Sequence, residues 1–410
     1  MCEAHHVIGR RGLLRGSALL GGAGLAAMVG GCTTAAPATG GGAQPSAAKG
    51  PVPSTGTHLV LLGTQGGPIP GKRAAVSSAL VVDGSIYVID AGSGLTLRFS
   101  EAGLDFKKVR AMFVTHLHSD HVADYFNFFS LNWTNWDFGK QTVEVHGPGR
   151  ASANGPAGSP VPGLPITPTA PLVTPGLATP GITDITDLSV RANAYDLNER
   201  LRSTRRQGDH ALEFTGLSGP PMMRPHDIAV PAAASIDVLA PKIAPIPVYR
   251  DDKVEVTATL VDHPPVFPAF AFHFRTPHAT VVFSGDTTPC QNLFDLASGA
   301  DVLVNEVMAV EAAVAKFDGT PIHDTMEIQF TSAHTPLHSR PAAQGRPAVP
   351  GVGAVARTVN AKALVLTHIY PGDGTVSDAE FRSSVAADYR GPVVVGNDLM
   401  TLDLAALAKH

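Results

Sequence analysis

The stretch Thr115-His116-Leu117-His118-Ser119-Asp120-His121 follows directly on the apolar run Ala111-Met112-Phe113-Val114. Three histidines and an aspartate fall within six positions, just past what reads as the end of a buried strand. Alternation places His116 and His118 on one side of the chain. Imidazole nitrogens and a carboxylate are the donors that a borderline metal such as Zn²⁺ takes, and ligands that end a strand can converge on one point. The cluster predicts a metal site and, with it, a zinc-dependent hydrolase.

Further segments repeat the pattern of a strand that ends in a metal-binding residue type. Ser85 to Ile89 runs into Asp90-Ala91-Gly92, and Val254 to Val261 runs into Asp262-His263. Thr280-Val281-Val282-Phe283 precedes Ser284-Gly285-Asp286-Thr287, and Ala363-Leu364-Val365-Leu366 delivers Thr367-His368. In this order the elements resemble the metallo-β-lactamase superfamily, through most of residues 58 to 410. The resemblance implies an α/β fold, a four-layer αβ/βα sandwich with metals at one edge. It implies that His116, His118 and His263 hold one zinc and that Asp120, His121 and His368 hold another. Asp286 and a hydroxide, the nucleophile, would lie between them, and Asp90 would support the metal loop without binding metal. Manganese or iron would suit the same donors.

Residues outside the ligand set point to a branch. Many β-lactamases of the superfamily carry cysteine or serine where this chain has Asp286, which disfavours antibiotic hydrolysis; Cys290 is expected to be buried structure. Asp301 to Glu306 and Ser332-Ala333-His334-Thr335 resemble elements of the ribonuclease Z, phosphodiesterase and arylsulfatase-like branch. There the histidine, oriented by the glutamate, donates a proton to the leaving oxygen. Asp120, His334 and Glu306 form the expected catalytic set, with His338 a competing alignment for His334. Asn305 departs from the histidine usual in ribonuclease Z. Gly391 to Met400 looks like the closing strand of arylsulfatase-like members.

Arg10-Arg11 ahead of a glycine-rich apolar stretch resembles a twin-arginine export signal, and Val29-Gly30-Gly31-Cys32 a lipoprotein cleavage site with Cys32 lipidated. The expected organisation is a signal over 1–31, a flexible tether over 32–57 and a hydrolase domain over 58–410, with an insertion or lid at 150–250. Removing 31 of the 410 residues leaves 379, and 44% hydrophobic content supports one large core. Of the three cysteines, Cys2 leaves with the signal and Cys32 is lipidated, so no pair remains for a disulfide. The signal carries Arg10, Arg11, Arg15 and Glu3, net +2, so its loss takes the formal charge from −5 to −7. That balance argues against an extended nucleic-acid surface, and no nucleic acid is expected as partner. Ile182 to Arg206 reads as one amphipathic helix, with Ile182, Ile185, Leu188, Tyr195 and Leu197 available for one face. Arg200, Arg202, Arg205 and Arg206 are candidates to meet an anionic substrate. There is no internal repeat, heptad or P-loop.

The leading expectation is an exported, lipid-anchored, binuclear zinc hydrolase that cleaves a small anionic ester, a phosphodiester or aryl sulfate. The alternatives are a ribonuclease Z-like endonuclease, a lactonase or thioester hydrolase, and a non-catalytic zinc-binding surface lipoprotein.

Overall fold

A computed structural model describes residues 51–67, 71–137, 140–151, 177, 179–204, 221–235, 237–342 and 347–409. The expected signal, Cys32 and most of the tether therefore lie outside the described residues, as do Arg205 and Arg206.

The strands are β1 (Thr57–Gly63), β2 (Ser77–Val82), β3 (Ser85–Ile89), β4 (Val109–Phe113), β5 (Val143–Pro148), β6 (Met223–Ile228), β7 (Ile246–Arg250), β8 (Glu255–Leu260), β9 (Phe270–Arg275), β10 (Thr280–Phe283), β11 (Val302–Met308), β12 (Ala363–Tyr370), β13 (Val393–Val395) and β14 (Met400–Asp403). The helices are α1 (Leu95–Glu101), α2 (Ser119–Val122), α3 (Tyr125–Ser130), α4 (Ile182–Ala192), α5 (Ala194–Thr204), α6 (Gln291–Ala297), α7 (Val310–Ala315), α8 (His323–Ala333), α9 (Val352–Thr358), α10 (Asp378–Ala386) and α11 (Leu404–Leu407). Two seven-stranded mixed sheets form, ordered β14-β1-β2-β3-β4-β5-β6 and β13-β12-β11-β10-β9-β8-β7.

Strand composition explains the layering. β1, β11 and β12 are buried at every position, so both faces need apolar cover. One face of each sheet meets the other sheet: Tyr87 and Phe113 pack with Phe272, Phe274 and Val281. Phe113 meets Phe272 and Phe274 edge-on, at centroid distances of 5.6 and 5.0 Å. Such pairs add about 0.5–1.5 kcal/mol beyond the area they bury. The outer face of the first sheet is covered with Leu95, Phe99, Phe128 and Ile182 from α1, α3 and α4, and that of the second with Leu293, Val355 and Phe381 from α6, α9 and α10. The molecule is an α/β sandwich of helix, sheet, sheet and helix.

Two sequence expectations are corrected. Ile182 to Arg206 is not one helix: Asn193, at φ −100° and ψ 16°, leaves helical geometry and its amide donates to the Ser189 carbonyl, ending α4 before α5 begins. Ile182 and Leu197 are buried, whereas Tyr195 is 87% exposed and Leu188 47%, so no single apolar face runs through both helices. Nor is Gly391 to Met400 one strand. β13 belongs to the second sheet and β14 to the first, and the chain crosses between them at Gly396, where a Cβ would come within 2.5 Å of the Leu366 carbonyl.

Candidate metal centre

The strand ends that carry the candidate ligands lie together at one edge of the sandwich. β4 passes into Thr115–His121 and β8 into His263. β10 leads into Asp286, while β12 carries His368 within the strand rather than after it. The His116 loop is pinned from several sides. The Thr115 carbonyl accepts from Phe270 N at 3.0 Å, the His121 carbonyl accepts from Ala91 N at 2.7 Å, and Asp90 accepts from Thr115 N at 2.7 Å. Gly285, at φ +59°, lets the Asp286 turn pass where a Cβ would come within 2.6 Å of the Phe270 carbonyl.

Four overlapping donor groups result: His116, His118 and His263; His116, His121 and Asp286; Asp120, His121 and His368; and Asp286, Glu306, His334 and His368. His118 Nδ1 lies 3.1 Å from His116 Nε2 and 3.5 Å from His263 Nε2. His368 Nε2 is 3.3 Å from Asp120 Oδ2 and 3.1 Å from Asp286 Oδ2. Asp286 Oδ2 also lies 3.9 Å from both His116 Nε2 and His263 Nε2, so its carboxylate sits between the two halves.

The surroundings fix which ring nitrogens are offered. His121 Nδ1 donates to Asp90 Oδ2 at 2.9 Å, and His263 Nδ1 donates to the Ala333 carbonyl at 2.9 Å, which leaves Nε2 of each facing the cluster. His121 Nε2 and Asp286 Oδ1 are buried without a well-formed hydrogen bond, although they lie 3.3 Å apart. Buried polar atoms are ordinarily satisfied, so these orphans fit a site whose partner is a cation. Asp90 and His368 also adopt left-handed backbone, at φ 58° and 45°, a strain that persists where surroundings over-determine it and that clusters at functional sites.

Charge divides the cluster. Burial, reinforced by the neighbouring imidazoles, holds His116 and His118 below the usual histidine range and pushes His263 down to about 3. These three present neutral nitrogens. On the other side burial opposes the charged forms, yet the carboxylates prevail: Asp286, Asp90 and Asp120 hold His121 well above its usual range, and Asp286, Asp120 and Glu306 push His368 up to about 10. Against their own burial, Asp286 and Asp120 are held low by His368 and His121.

Glu306 is a buried hub beside the cluster. Oε1 accepts from Thr287 N at 2.6 Å and Thr335 N at 3.2 Å, and Oε2 accepts from His334 Nδ1 at 2.8 Å. Burial opposes the charge on His334, and Glu306 outweighs it and raises the imidazole. His338 instead lies 3.5 Å from Ser384 at the surface. Asn305 is buried and donates from Nδ2 to the Glu306 carbonyl at 2.8 Å, and Cys290 is a half-buried free thiol whose ionisation burial disfavours.

A cavity of about 340 Å³ opens over Asp120, Asp286, His334 and His368. Its walls carry Met308, Phe317, Met326, Phe330 and Tyr370, none of which was singled out from the sequence. The missed signal was the apolar spacing of Val310 to Phe330 just before Ser332–Thr335. No described residue of 150–250 lines the cavity, and residues 152–176 and 205–220 lie outside the described residues. Arg200 is structural, since it donates to the Ser130 carbonyl at 2.7 Å, pairs with Asp196 and lies 4.8 Å over the Trp133 ring; Arg202 pairs with Glu199.

A family model described as anti-Pycsar protein Apyc1 matches residues 57–128. The chain is similar to a ribonuclease Z of Mycobacterium bovis, 28% identical over 349 residues that cover 85% of this chain and 98% of the relative. Among solved structures, the metallo-β-lactamase fold protein YhfI of Bacillus subtilis aligns at TM-score 0.49 and 13% identity, covering 84% of this chain and 98% of that one. The short form of human tRNase Z aligns at TM-score 0.48 and 16% identity, covering 85% and 99%. The expectation of no nucleic-acid partner is overturned by the ribonuclease Z relatives, which match over nearly their whole length. Net charge, the basis of that expectation, sums over the whole surface, whereas the field at a metal centre is set by its own ions and ligands. The chain is a metal-dependent hydrolase built on an α/β sandwich, with ribonuclease Z homologues.

Proposed function

We propose that this protein hydrolyses a phosphodiester of a nucleotide or nucleic acid at a centre that holds two metal ions, with zinc the fitting metal. The observation that carries the reading is the doubled donor set: neutral His116, His118 and His263 on one side, Asp120, His121 and His368 on the other, and Asp286 between. The ribonuclease Z relatives supply the phosphodiester; the donor set alone would serve a sulfate ester equally well. Bound metal would polarise a phosphoryl oxygen and bring the pKa of water to about 7, so that a nucleophile exists at neutral pH.

The chain's own residues then position and protonate. Asp90 fixes the His121 ring through Nδ1 and the loop through Thr115 N, so the donor atoms need no reorganisation on loading. Glu306 occupies His334 Nδ1, which leaves Nε2 as the nitrogen that can give a proton to the departing oxygen. Thr287 N and Thr335 N keep the Glu306 carboxylate in place, and so keep His334 at the cavity floor.

The test is metal content together with turnover of bis-p-nitrophenyl phosphate, p-nitrophenyl sulfate and a short RNA by residues 33 to 410. Two metals per chain with phosphodiester turnover support the reading; sulfate turnover alone would replace it with an aryl sulfatase. Export through the Arg10-Arg11 signal and lipidation at Cys32 remain part of the proposal, resting on the sequence pattern alone. Labelled lipid that still attaches to a Cys32→Ala variant would remove Cys32 as the attachment site, and a wild-type chain that takes up none would remove the anchor.

A further inference from the structure

We infer that the helical hairpin of α7 and α8 is the specificity wall of this centre and that it selects an ester whose leaving alcohol carries one planar aromatic ring. The inference rests on the phosphodiester reading above and names the substrate it takes. The cavity over the donor cluster has two unlike surfaces. Its floor is ionic, made by Asp120, Asp286, His334 and His368. Its far wall is apolar: Phe317, Met326 and Phe330 from the hairpin close against Met308 and Tyr370, and these side chains form a small cluster of their own, apart from the three cores of the sandwich.

The geometry of that wall suits a ring. Phe330 lies 5.4 Å from Tyr370 and 5.7 Å from Phe317 by centroids, tilted rather than sealed face to face, and 6.4 Å from the His334 imidazole. A group bonded to the oxygen that His334 protonates therefore leaves the floor toward Phe330. Thioether and aromatic surfaces attract the faces and edges of π systems. Among the described residues no lysine or arginine lines the cavity, so none of them rewards a second phosphate. About 340 Å³ holds a ring with its sugar but not a folded polymer, which would have to present a single splayed-out end. One polar group interrupts the wall. The half-buried Gln329 side-chain amide makes no hydrogen bond to a described residue, and such an amide pairs in both senses with the edge of a nucleobase.

The ring could belong to a nucleobase or to a simple aryl group, and the test separates them. Adenosine 5′-monophosphate, phenyl phosphate and methyl phosphate are compared as ligands of the metal-loaded protein by calorimetry and, independently, as inhibitors of bis-p-nitrophenyl phosphate hydrolysis. The expected result is that both ring-bearing phosphates bind roughly tenfold or more tightly than methyl phosphate. In Phe317→Ala, at the half-buried rim, and in the milder Phe330→Leu, that ratio falls toward one. A further advantage of the adenosine ligand that vanishes in Gln329→Ala assigns the wall to a nucleobase, and equality of the two ring ligands assigns it to an aryl group. Equal binding of all three phosphates, or ratios unchanged in both phenylalanine variants that remain folded, overturns the inference. If the diester is not hydrolysed while the binding ratios hold, the phosphodiester reading fails and the wall stands.

Discussion

The two ends of the sandwich treat buried polar groups in opposite ways. At the end away from the donor cluster, Asp251 sits between β7 and β8 with its side chain 13% exposed. It accepts five hydrogen bonds, from Tyr87 Oη, Tyr249 Oη, Lys253 N, Val254 N and, at 3.5 Å, Arg110. At the other end Asp286 is 2% exposed and one of its oxygens has no well-formed hydrogen bond. The first carboxylate is satisfied by the protein and ties the two sheets together; the second is held ready for something the protein does not supply. Stability is built at one end and binding capacity at the other.

Substitutions can break or sharpen that contrast. The largest effect belongs to Asp286→Ala, which should lose at least about 10³-fold in turnover and most of its bound metal. With metal chelated, its Tm should differ from wild type by less than that of Asp251→Ala. A variant that kept full activity and metal would show that Asp286 does not join the two halves. His334→Ala should keep its metal yet lose about 10²-fold in kcat on a diester with a poor leaving group, and far less on a nitrophenyl ester, where protonation hardly matters. Equal losses on both substrates would assign His334 to structure.

At the satisfied end, Asp251→Ala should cost about 2–3 kcal/mol in denaturant unfolding while the folded fraction keeps its kcat, because several buried donors lose their acceptor. Asp90→Asn is intermediate in character: it should weaken metal affinity about 10–100-fold by releasing the His121 ring, with little loss of fold. The smallest effect is one of pH. Burial opposes ionisation of Asp251, but the Tyr87 hydroxyl and the Lys253 and Val254 amides hold its carboxyl below the usual range. Its contribution is therefore complete above the unfolded value of about 3.9 and fades as pH falls through the lower folded value. The Tm gap between wild type and Asp251→Asn should shrink below about pH 4, and a gap constant into acid would assign the effect to packing.

Much of the donor cluster was legible because its residues are punctuation: each follows, or interrupts, a run of buried aliphatics, and a strand can be read over four to eight residues. Thr280–Phe283 coincides with β10, and Val254–Val261 encloses β8. His334 was separable from His338 only by its pairing with Glu306, 28 positions away in sequence. The 182–206 helix was misjudged because one Asn193 in a non-helical conformation outweighs the propensity of the residues around it. The absence of a nucleic-acid partner was misjudged because a charge total carries no information about place.

By itself the sequence determined the inventory: which residues can bind metal, in what order the strands deliver them, and that the chain has enough aliphatic residues to bury two sheets. Those follow from local periodicity and side-chain chemistry, which act over a few residues. The resemblance had already implied a place for Asp286 between two donor sets and supporting roles for Asp90 and Glu306; only the tertiary structure decided which ring nitrogens those carboxylates hold, that β13 and β14 part to opposite sheets, and that α7 and α8 wall the cavity. Each of these depends on contacts between residues far apart in the chain, and the packing of two sheets, rather than any local preference, brings them within reach.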